Sequence, residues 1–341
     1  MEYRKVGRSG LKVSEICLGT MTFGADADEK ESRKILNLAI DAGVNFIDCA
    51  DVYAGGQSER ILGNALKGRR KDLIISSKCF NPMGTSPNDG GLSRAHIMQA
   101  VEDSLARLQT DYIDIYYLHH VDKDTPLDEM LRAMHDLVEQ GKVRYIGCSN
   151  FEGWRLLESV WISDSHQWNR FICYQPQYNL LVRDIEQDIV PVCQLKGLGI
   201  IPYSPLANGF LTGKYKPGQR SLKGTRSADN WNFYQDVWSQ QADEILKALL
   251  DAAKELNRTP AQVAIRWVLE QPMLTSAIIG ARNTDQARDN LLAGGWHLPK
   301  PILERLDTIS ALPLRYPRNT EPFYENRRQN GVKMPSFSPD V

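Results

Sequence analysis

Short apolar runs alternate eight times with longer segments of helical periodicity along the 341-residue chain. The apolar runs are hydrophobic at successive positions, as strands are when both faces of a parallel sheet are buried. Eight such units predict a closed (β/α)8 barrel, the TIM barrel, rather than an open sheet. The predicted strands are residues 15–19, 44–50, 73–79, 112–119, 143–149, 171–175, 199–203 and 275–280, and the predicted helices are residues 28–42, 58–66, 93–108, 127–140, 154–162, 184–196, 242–256, 260–270 and 285–293. The second helix is predicted to open on a Ser58 cap.

The two ends of the chain are predicted to lie outside the barrel. The N-terminal segment EYRKVGRSGLKVS places a glycine-centred turn between two short β-prone stretches, which predicts a β-hairpin cap over one barrel end. The last stretch holds several prolines and few apolar residues, and we predict an extended tail there. We therefore expect one barrel domain over residues 1–311 and a C-terminal extension over residues 312–341.

The charge balance and the cysteines restrict the class of protein. Lys and Arg total 41 against 42 for Asp and Glu, and no basic stripe indicates a nucleic-acid partner. No apolar run is long enough to span a membrane, and the N-terminus lacks the apolar core of a signal peptide. The six cysteines form no C-x-x-C pair, and most lie in apolar runs. Buried free thiols in a reducing compartment, hence a cytoplasmic protein, are the expectation.

Polar side chains stand where the predicted strands end, the edge at which barrel proteins of this kind build their sites. Asp48 ends the second strand within FIDCADVYAGGQSE, Tyr53 follows in its loop, Lys78 ends the third strand and His119 the fourth. An ammonium about 4 Å from a phenol is worth ~4 kcal/mol at an effective dielectric of ~20, so Lys78 is expected to lower the pKa of Tyr53, although desolvation opposes this. Asp48 would hold Lys78 in place, and His119 would donate a hydrogen bond to a substrate carbonyl. The set predicts hydride transfer to a ketone or aldehyde, with the oxygen protonated as hydride adds to its carbon.

The remaining strand ends suit a nicotinamide cofactor. Ser149, Asn150 and Gln175 offer hydrogen bonds to a carboxamide, and Tyr203 offers a flat face for a ring. No metal is expected, because His119-His120 are strand neighbours that point to opposite sides and no H-x-H or H-E-x-x-H motif occurs.

Two later segments suit the phosphates of that cofactor. The loop SPLANGFLTGKY has glycines and Lys214 available to cradle a pyrophosphate. The segment GARNTDQARDN opens a helix, whose N-terminus favours anions, and Arg282 can form a fork onto an extra phosphate. This pattern favours NADPH over NADH.

These motifs together make the chain resemble the aldo-keto reductase family. The matching segments are GRSGLKVS, FIDCADVYAGGQSE, SSK, YIDIYYLHHVD, GKVRYIGCSNF, YQPQYNLL, YSPLANGFLTGKY and IIGARNTDQARDN, in family order over roughly residues 3 to 294. The match is closer to the branch that holds bacterial general reductases and potassium-channel β subunits. The resemblance implies NADPH-linked carbonyl reduction on a barrel, with a catalytic tetrad at Asp48, Tyr53, Lys78 and His119.

The resemblance also implies the cofactor contacts and leaves the substrate open. The substrate-side loops, namely FNPMGTSPNDGG, residues 219–238 and the tail, are where the family varies. The alternative function is a cofactor-binding regulatory or interaction subunit like the channel β subunits, in which the tetrad would survive too. The implied contacts with NADPH or NADP+ are Gly19, Thr20, Met21, Asp48, Ser149, Asn150, Gln175, Tyr203, Ser204, Pro205, Leu206, Gly209, Leu211, Lys214, Gly280, Arg282, Gln286 and Asn290.

Several residues near the tetrad have simpler interpretations. Asp51 is expected to bond backbone amides in the turn. Cys49 and Cys79 are expected to pack as small hydrophobic residues. Two interpretations of His120 stay open: its side chain reaches a substrate pocket, or it lies outside that pocket.

Aromatic residues in the variable segments are candidates for the substrate side. The aromatic residues in the 219–238 insert either form an apolar lid over the substrate or lie apart from it, and both hypotheses stay open. The insert residues are Trp231, Phe233, Tyr234 and Trp238, and weaker candidates are Met83, Tyr316 and Phe323.

Overall fold

A computed structural model of the chain describes residues 1–216, 218–219 and 240–321. The N-terminal segment is a β-hairpin of β1 (Tyr3–Lys5) and β2 (Lys12–Ser14), paired antiparallel. In the described part of the chain, eight further strands form one parallel sheet: the first seven pair in chain order, and the eighth pairs with the first. These strands are β3 (Ile16–Gly19), β4 (Phe46–Asp48), β5 (Ile74–Cys79), β6 (Ile113–Leu118), β7 (Val143–Ser149), β8 (Cys173–Gln175), β9 (Gly199–Ile200) and β10 (Ala277–Ile279).

The sheet closes between β9 and the chain that leads into β10. Ile200 forms a parallel bridge with Leu274, and the backbone N–H of Ile278 donates to the carbonyl of Pro202 at 2.9 Å. The predicted (β/α)8 barrel is therefore confirmed.

Helices alternate with the strands and bury apolar side chains in the hydrophobic core around the barrel. Polar side chains cap several of them, as where Asp28 accepts from the backbone of Glu31 and Asn283 from that of Gln286. The helices within the described ranges are α1 (Glu29–Asp41), α2 (Gln57–Ala65), α3 (Arg94–Leu108), α4 (Leu127–Glu139), α5 (Gly153–Ser165), α6 (Ile189–Lys196), α7 (Gln240–Glu255), α8 (Pro260–Glu270), α9 (Thr284–Leu291) and α10 (Lys300–Ser310).

The inside of the barrel is a packed core, so ligands are confined to its ends. Phe46 and Tyr117 are fully buried within it, in a cluster that includes Val6 and Val13 of the hairpin. The hairpin closes the end at which the strands begin: a Cβ on Gly7, which has φ +54°, would lie 2.4 Å from the carbonyl oxygen of Gly197. The predicted hairpin cap is confirmed, and the strand C-termini form the open end.

Three details of the secondary structure differ from the prediction. Ser58 does not cap α2; Gly56 does, with φ 86°, while Ser58 is buried and donates to the carbonyl of Thr20 at 2.8 Å. The predicted helix over 184–196 is a 3-10 turn at Asp184–Glu186 followed by α6. The helix α10 was not predicted.

The cysteines and the chain ends complete the fold. All six cysteines are free and buried, as expected, including Cys49 and Cys79. No helix in the described part of the chain is long and apolar enough to cross a membrane.

The division of the chain into a barrel domain, residues 1–311, and a C-terminal extension, residues 312–341, stays a prediction. Tyr316 is exposed, and Met83 is also among the exposed apolar residues. The lid candidates Trp231, Phe233, Tyr234, Trp238 and Phe323 lie outside the described residues.

Candidate active site

An ionic pair lies at the open end of the barrel, where β4 and β5 end. Lys78 Nζ donates to Asp48 Oδ2 at 2.6 Å, to the carbonyl of Cys49 at 2.6 Å and to Tyr53 Oη at 3.2 Å. Three acceptors satisfy the three N–H bonds of the ammonium, which explains how a fully buried lysine stays charged. The sequence prediction that Asp48, Tyr53 and Lys78 converge is confirmed by these distances.

The Asp48 carboxylate is fixed from a second side. Its Oδ1 accepts hydrogen bonds from Ser76 Oγ at 2.8 Å and from Gln175 Nε2 at 2.9 Å. Ser76 was missed in the sequence, although it stands two positions before Lys78 on β5 and therefore shares its face of the strand. These two hydrogen bonds orient the carboxylate so that Oδ2 is left for Lys78.

Tyr53 lies in the turn after β4, and the three residues that follow it have an unusual backbone conformation. Ala54, Gly55 and Gly56 follow it with φ of 50°, 61° and 86°. Left-handed residues in succession reverse the chain tightly, and glycine permits this where other residues resist it. The turn sets the phenol beside the ammonium, with Lys78 Nζ also 4.9 Å from the ring centre.

The expected lowering of the Tyr53 pKa is wrong for this state of the protein. Burial raises the pKa of Tyr53 to about 12, and the nearby Lys78 only partly offsets this. Burial also pulls down the pKa of Lys78, but the Asp48 carboxylate outweighs it and the net pKa is raised. At neutral pH the pair is therefore a neutral phenol beside an ammonium, which is the form that a proton donor requires.

His119 faces the phenol from the end of β6. Its ring centre lies 6.1 Å from that of Tyr53 at an interplanar angle of 78°, and it stacks on His120 at 4.7 Å. Burial and then the charge of Lys78 hold the pKa of His119 well below its usual range, so the imidazole is neutral. Among the described residues its buried Nδ1 has no hydrogen-bond partner. A neutral imidazole can donate one N–H to a ligand oxygen.

A network of amide and hydroxyl groups covers the ends of β7, β8 and β9. Asn150, at φ 62°, donates to the carbonyl of His119 at 2.9 Å and accepts from Tyr203 Oη at 2.8 Å. Ser149 Oγ donates to the carbonyl of Gln175 at 2.7 Å. These four predicted cofactor residues, Ser149, Asn150, Gln175 and Tyr203, thus lie together beside the tetrad.

The residues at the end of β3 border the same centre. Gly19 pairs with Asp48 in the sheet, and Thr20 Oγ1 donates to the carbonyl of Asp48 at 3.0 Å. Thr20 is buried and Met21 half-buried. The predicted contacts at Gly19, Thr20 and Met21 are therefore adjacent to the tetrad in space.

The loop after β9 turns its backbone repeatedly into the left-handed region. Ser204, Ala207 and Asn208 have φ of 55°, 48° and 53°, and Gly209 has 92°. Such successions can point several N–H groups at one anion. A Cβ on Gly209 would lie 2.6 Å from Lys214 Nζ, so the ammonium lies over this turn. Pro205 and Leu211 are buried and Leu206 is half-buried.

The segment after β10 presents backbone and a guanidinium at the start of α9. An added Cβ on the exposed Gly280 would meet nothing within 4 Å, and Asn290 Nδ2 donates to its carbonyl at 3.0 Å. The N–H of Arg282 donates to Gln286 Oε1 at 3.0 Å, and its Nε pairs with Asp26 Oδ2 at 3.3 Å. A phosphate bound here would share Arg282 with Asp26.

Asp51 lies in the turn between Asp48 and Tyr53, where its backbone N–H donates to the carbonyl of Lys78 at 3.2 Å. It is fully buried, and its Oδ1 accepts from the N–H of Val52 at 2.6 Å, as a turn-forming aspartate does. Burial, followed by the charge of Glu59, raises the pKa of Asp51 to about 7. The hydrogen bond from Val52 supports the expected turn role, whereas the raised pKa could not be predicted from the sequence.

Comparison with known proteins agrees with this geometry. The model of the family described as "Aldo/keto reductase family" matches residues 15–311. "Uncharacterized oxidoreductase YrpG" of Bacillus subtilis is 40% identical over 91% of this chain and 96% of its own length. "Probable voltage-gated potassium channel subunit beta" of Oryza sativa subsp. japonica is 37% identical over 95% of this chain and 100% of its own length. "Versiconal hemiacetal acetate reductase" of Aspergillus parasiticus is 35% identical over 84% and 90% respectively. The match spans the barrel, the ionic pair and the strand ends around it, and the chain belongs to the aldo/keto reductase family.

Proposed function

We propose that the protein is an NADPH-dependent oxidoreductase that reduces aldehydes or ketones to alcohols, with Tyr53 as the general acid. The observation that carries the proposal is the ammonium of Lys78 between Asp48 Oδ2 at 2.6 Å and Tyr53 Oη at 3.2 Å. The family membership and the relatives named as oxidoreductases support carbonyl reduction.

The donor set around the tetrad fits a nicotinamide dinucleotide phosphate. The amides of Asn150 and Gln175 and the Tyr203 ring suit the nicotinamide end. Gly209, where Lys214 lies over the turn, suits the pyrophosphate, and the half-buried Arg282 at the start of α9 suits a further phosphate. When bound, the reduced nicotinamide supplies the hydride that adds to the carbonyl carbon.

The residues of this chain transfer the proton and stabilise the charge that develops. Tyr53 Oη gives its proton to the carbonyl oxygen as negative charge develops there. Lys78 stabilises the phenolate that remains, and Asp48, fixed by Ser76 and Gln175, keeps the ammonium in place. The neutral imidazole of His119 donates a second hydrogen bond to the same oxygen. The reverse reaction uses the same groups in the opposite order.

A regulatory or interaction subunit that binds the cofactor is the second candidate, because a relative at 37% identity is named as a potassium channel β subunit. A panel of sugars, aromatic aldehydes, quinones and bulky ketones, assayed by NADPH consumption, separates the two. The reductase predicts turnover of at least one class, with NADP+-dependent oxidation of the matching alcohol. Tight NADPH retention without turnover of any class would favour the subunit.

The proposed partners and location follow from the same chemistry. The ligands are a small carbonyl or alcohol and the cofactor, with neither nucleic acid nor membrane involved. Six buried free cysteines suit a reducing compartment, so a cytoplasmic location is part of the proposal.

A further inference from the structure

The turn that carries Tyr53 needs support from its surroundings. Three successive residues after Tyr53 have positive φ, and one of them, Ala54 at φ 50°, has a side chain. A residue held in such a region is strained and stays there only when neighbouring structure fixes it. The groups that contact the turn from behind therefore decide where the phenol lies.

Arg107 of α3 reaches the end of this turn beside Met83, whose Cε would lie 3.6 Å from a Cβ on Gly56. A Cβ built on Gly56 would lie 2.9 Å from Arg107 Cδ, so the aliphatic stem is packed on the backbone of the turn. Arg107 Nε donates to Glu59 Oε2 at 2.6 Å, and Nη2 donates to Ser104 Oγ at 3.2 Å. The side chain of Arg107 is 12% exposed and that of Glu59 is 0% exposed, so the pair is shielded from water.

The other oxygen of the Glu59 carboxylate connects to the strand of the catalytic lysine. Glu59 Oε1 accepts from Ser77 Oγ at 2.5 Å. Ser77 precedes Lys78 on β5, and its side chain points to the opposite face of the sheet. The buried Glu59 carboxylate thus joins α2 to Ser77, the residue beside Lys78. The Arg107 side chain, bound to the same carboxylate, packs on the turn itself.

We infer that Glu59 and Arg107 are positioning residues that hold the Tyr53 turn against the strand of Lys78. Neither residue touches the phenol or the ammonium, so their effect on the chemistry passes through Tyr53. The inference rests on the proposed function for its kinetic consequence, but its structural consequence for Tyr53 is independent of turnover.

The test compares Arg107→Leu with a matched control, Arg70→Leu, which lies at the end of the barrel where β5 and β6 begin. Arg70 pairs with Asp114 at 2.8 Å, and the two side chains are 15% and 10% exposed. We expect Arg107→Leu to lower kcat at least about tenfold with the Kd for NADPH within about twofold, and Arg70→Leu to lower stability with kcat within about twofold. Equal loss of kcat in both variants would show a general effect of instability and overturn the inference.

A double-mutant cycle with Tyr53→Phe identifies the route of the effect. If Arg107 acts through the phenol, Arg107→Leu changes the residual rate of Tyr53→Phe by less than about twofold. The full tenfold loss in that background would overturn the inference. Arg107→Lys and Glu59→Gln, which retain part of the contacts, are expected to give intermediate rates, and they replace Arg107→Leu if it does not fold.

A measurement without turnover separates this inference from the proposed function. Carbon-13 NMR of ring-labelled tyrosine, with the Tyr53 signal assigned by its loss in Tyr53→Phe, follows ionisation of the phenol. Burial raises the pKa of Tyr53 to about 12 in the intact protein. In Arg107→Leu, a released turn exposes the ring, and the midpoint should fall toward its ordinary value of about 10. An unchanged midpoint and chemical shift would overturn the inference even if the enzyme is active; a shifted midpoint in a protein without carbonyl turnover would support it while refuting the reductase.

Discussion

Replacing Lys78 by methionine tests how the ionic pair acts on the phenol. The ammonium lies 3.2 Å from Tyr53 Oη. At an effective dielectric of about 20, a unit charge at about that distance stabilises phenolate by about 5 kcal/mol. If the proton is about half transferred in the transition state, about 2–3 kcal/mol of this is expressed, or roughly a 30- to 150-fold loss of rate. The same change leaves the buried Asp48 carboxylate unpaired, which costs about 3–5 kcal/mol of folding stability.

The assay must separate the loss of rate from the loss of stability. Single-turnover NADPH oxidation at saturating carbonyl gives the rate, fluorescence titration gives the Kd for NADPH, and urea unfolding gives the stability. The control is the double variant Asp48→Asn with Lys78→Met, which removes both charges of the pair. It should regain most of the stability and none of the rate. A Lys78→Met enzyme within about threefold of the wild-type rate, or a rate that recovers with stability in the double variant, would refute the reasoning.

Three further changes have expected outcomes that follow from single contacts. Arg282→Ala should raise the KM for NADPH about tenfold and that for NADH less than about twofold, and equal effects on both would exclude a 2′-phosphate contact. Burial and the neighbouring Glu59 raise the pKa of Asp51 to about 7 in the folded state; because the unfolded carboxyl titrates near pH 4, stability is greatest below that pH and falls as pH rises through about 7. Asp51→Asn should flatten this fall, seen as a smaller drop in urea midpoint between pH 5 and pH 8, and an unchanged drop would count against the raised pKa. Gly63→Ala should destabilise by about 1–3 kcal/mol despite the better helix propensity of alanine, because the added Cβ would lie 2.6 Å from the carbonyl oxygen of Arg107; a variant more stable than wild type in thermal unfolding would disagree.

The barrel could be predicted because its information is periodic and local. Strands that are apolar on both faces, separated by helices, admit few arrangements, and the polar residues that end them must then meet at one rim. Asp48, Tyr53 and Lys78 were found in this way, and their distances agree. The helix α10 was not predicted, although Pro299 and Pro301 stand at its start, where proline is tolerated in a first helical turn.

The features that could not be predicted depend on three-dimensional contacts. Ser58 has the residue type of a helix cap, but a tertiary hydrogen bond to Thr20 claims its hydroxyl, and Gly56 makes the turn instead. The direction of the Tyr53 pKa shift depends on the balance between burial of the ring, which raises the pKa, and the nearby Lys78 charge, which lowers it. Neither the burial nor the distance can be obtained from the spacing of residues in the sequence. Glu59 would pass for a surface residue of α2, yet it is fully buried.

The most direct test of the proposed chemistry is single-turnover carbonyl reduction by Tyr53→Phe, which removes one oxygen and leaves the ring. General acid catalysis is worth about 10²- to 10⁴-fold, so the rate should fall by that range, with the Kd for NADPH within about twofold of wild type. Reduction at a rate near that of the wild-type protein, with the cofactor bound equally well, would contradict the role of Tyr53 as the proton donor.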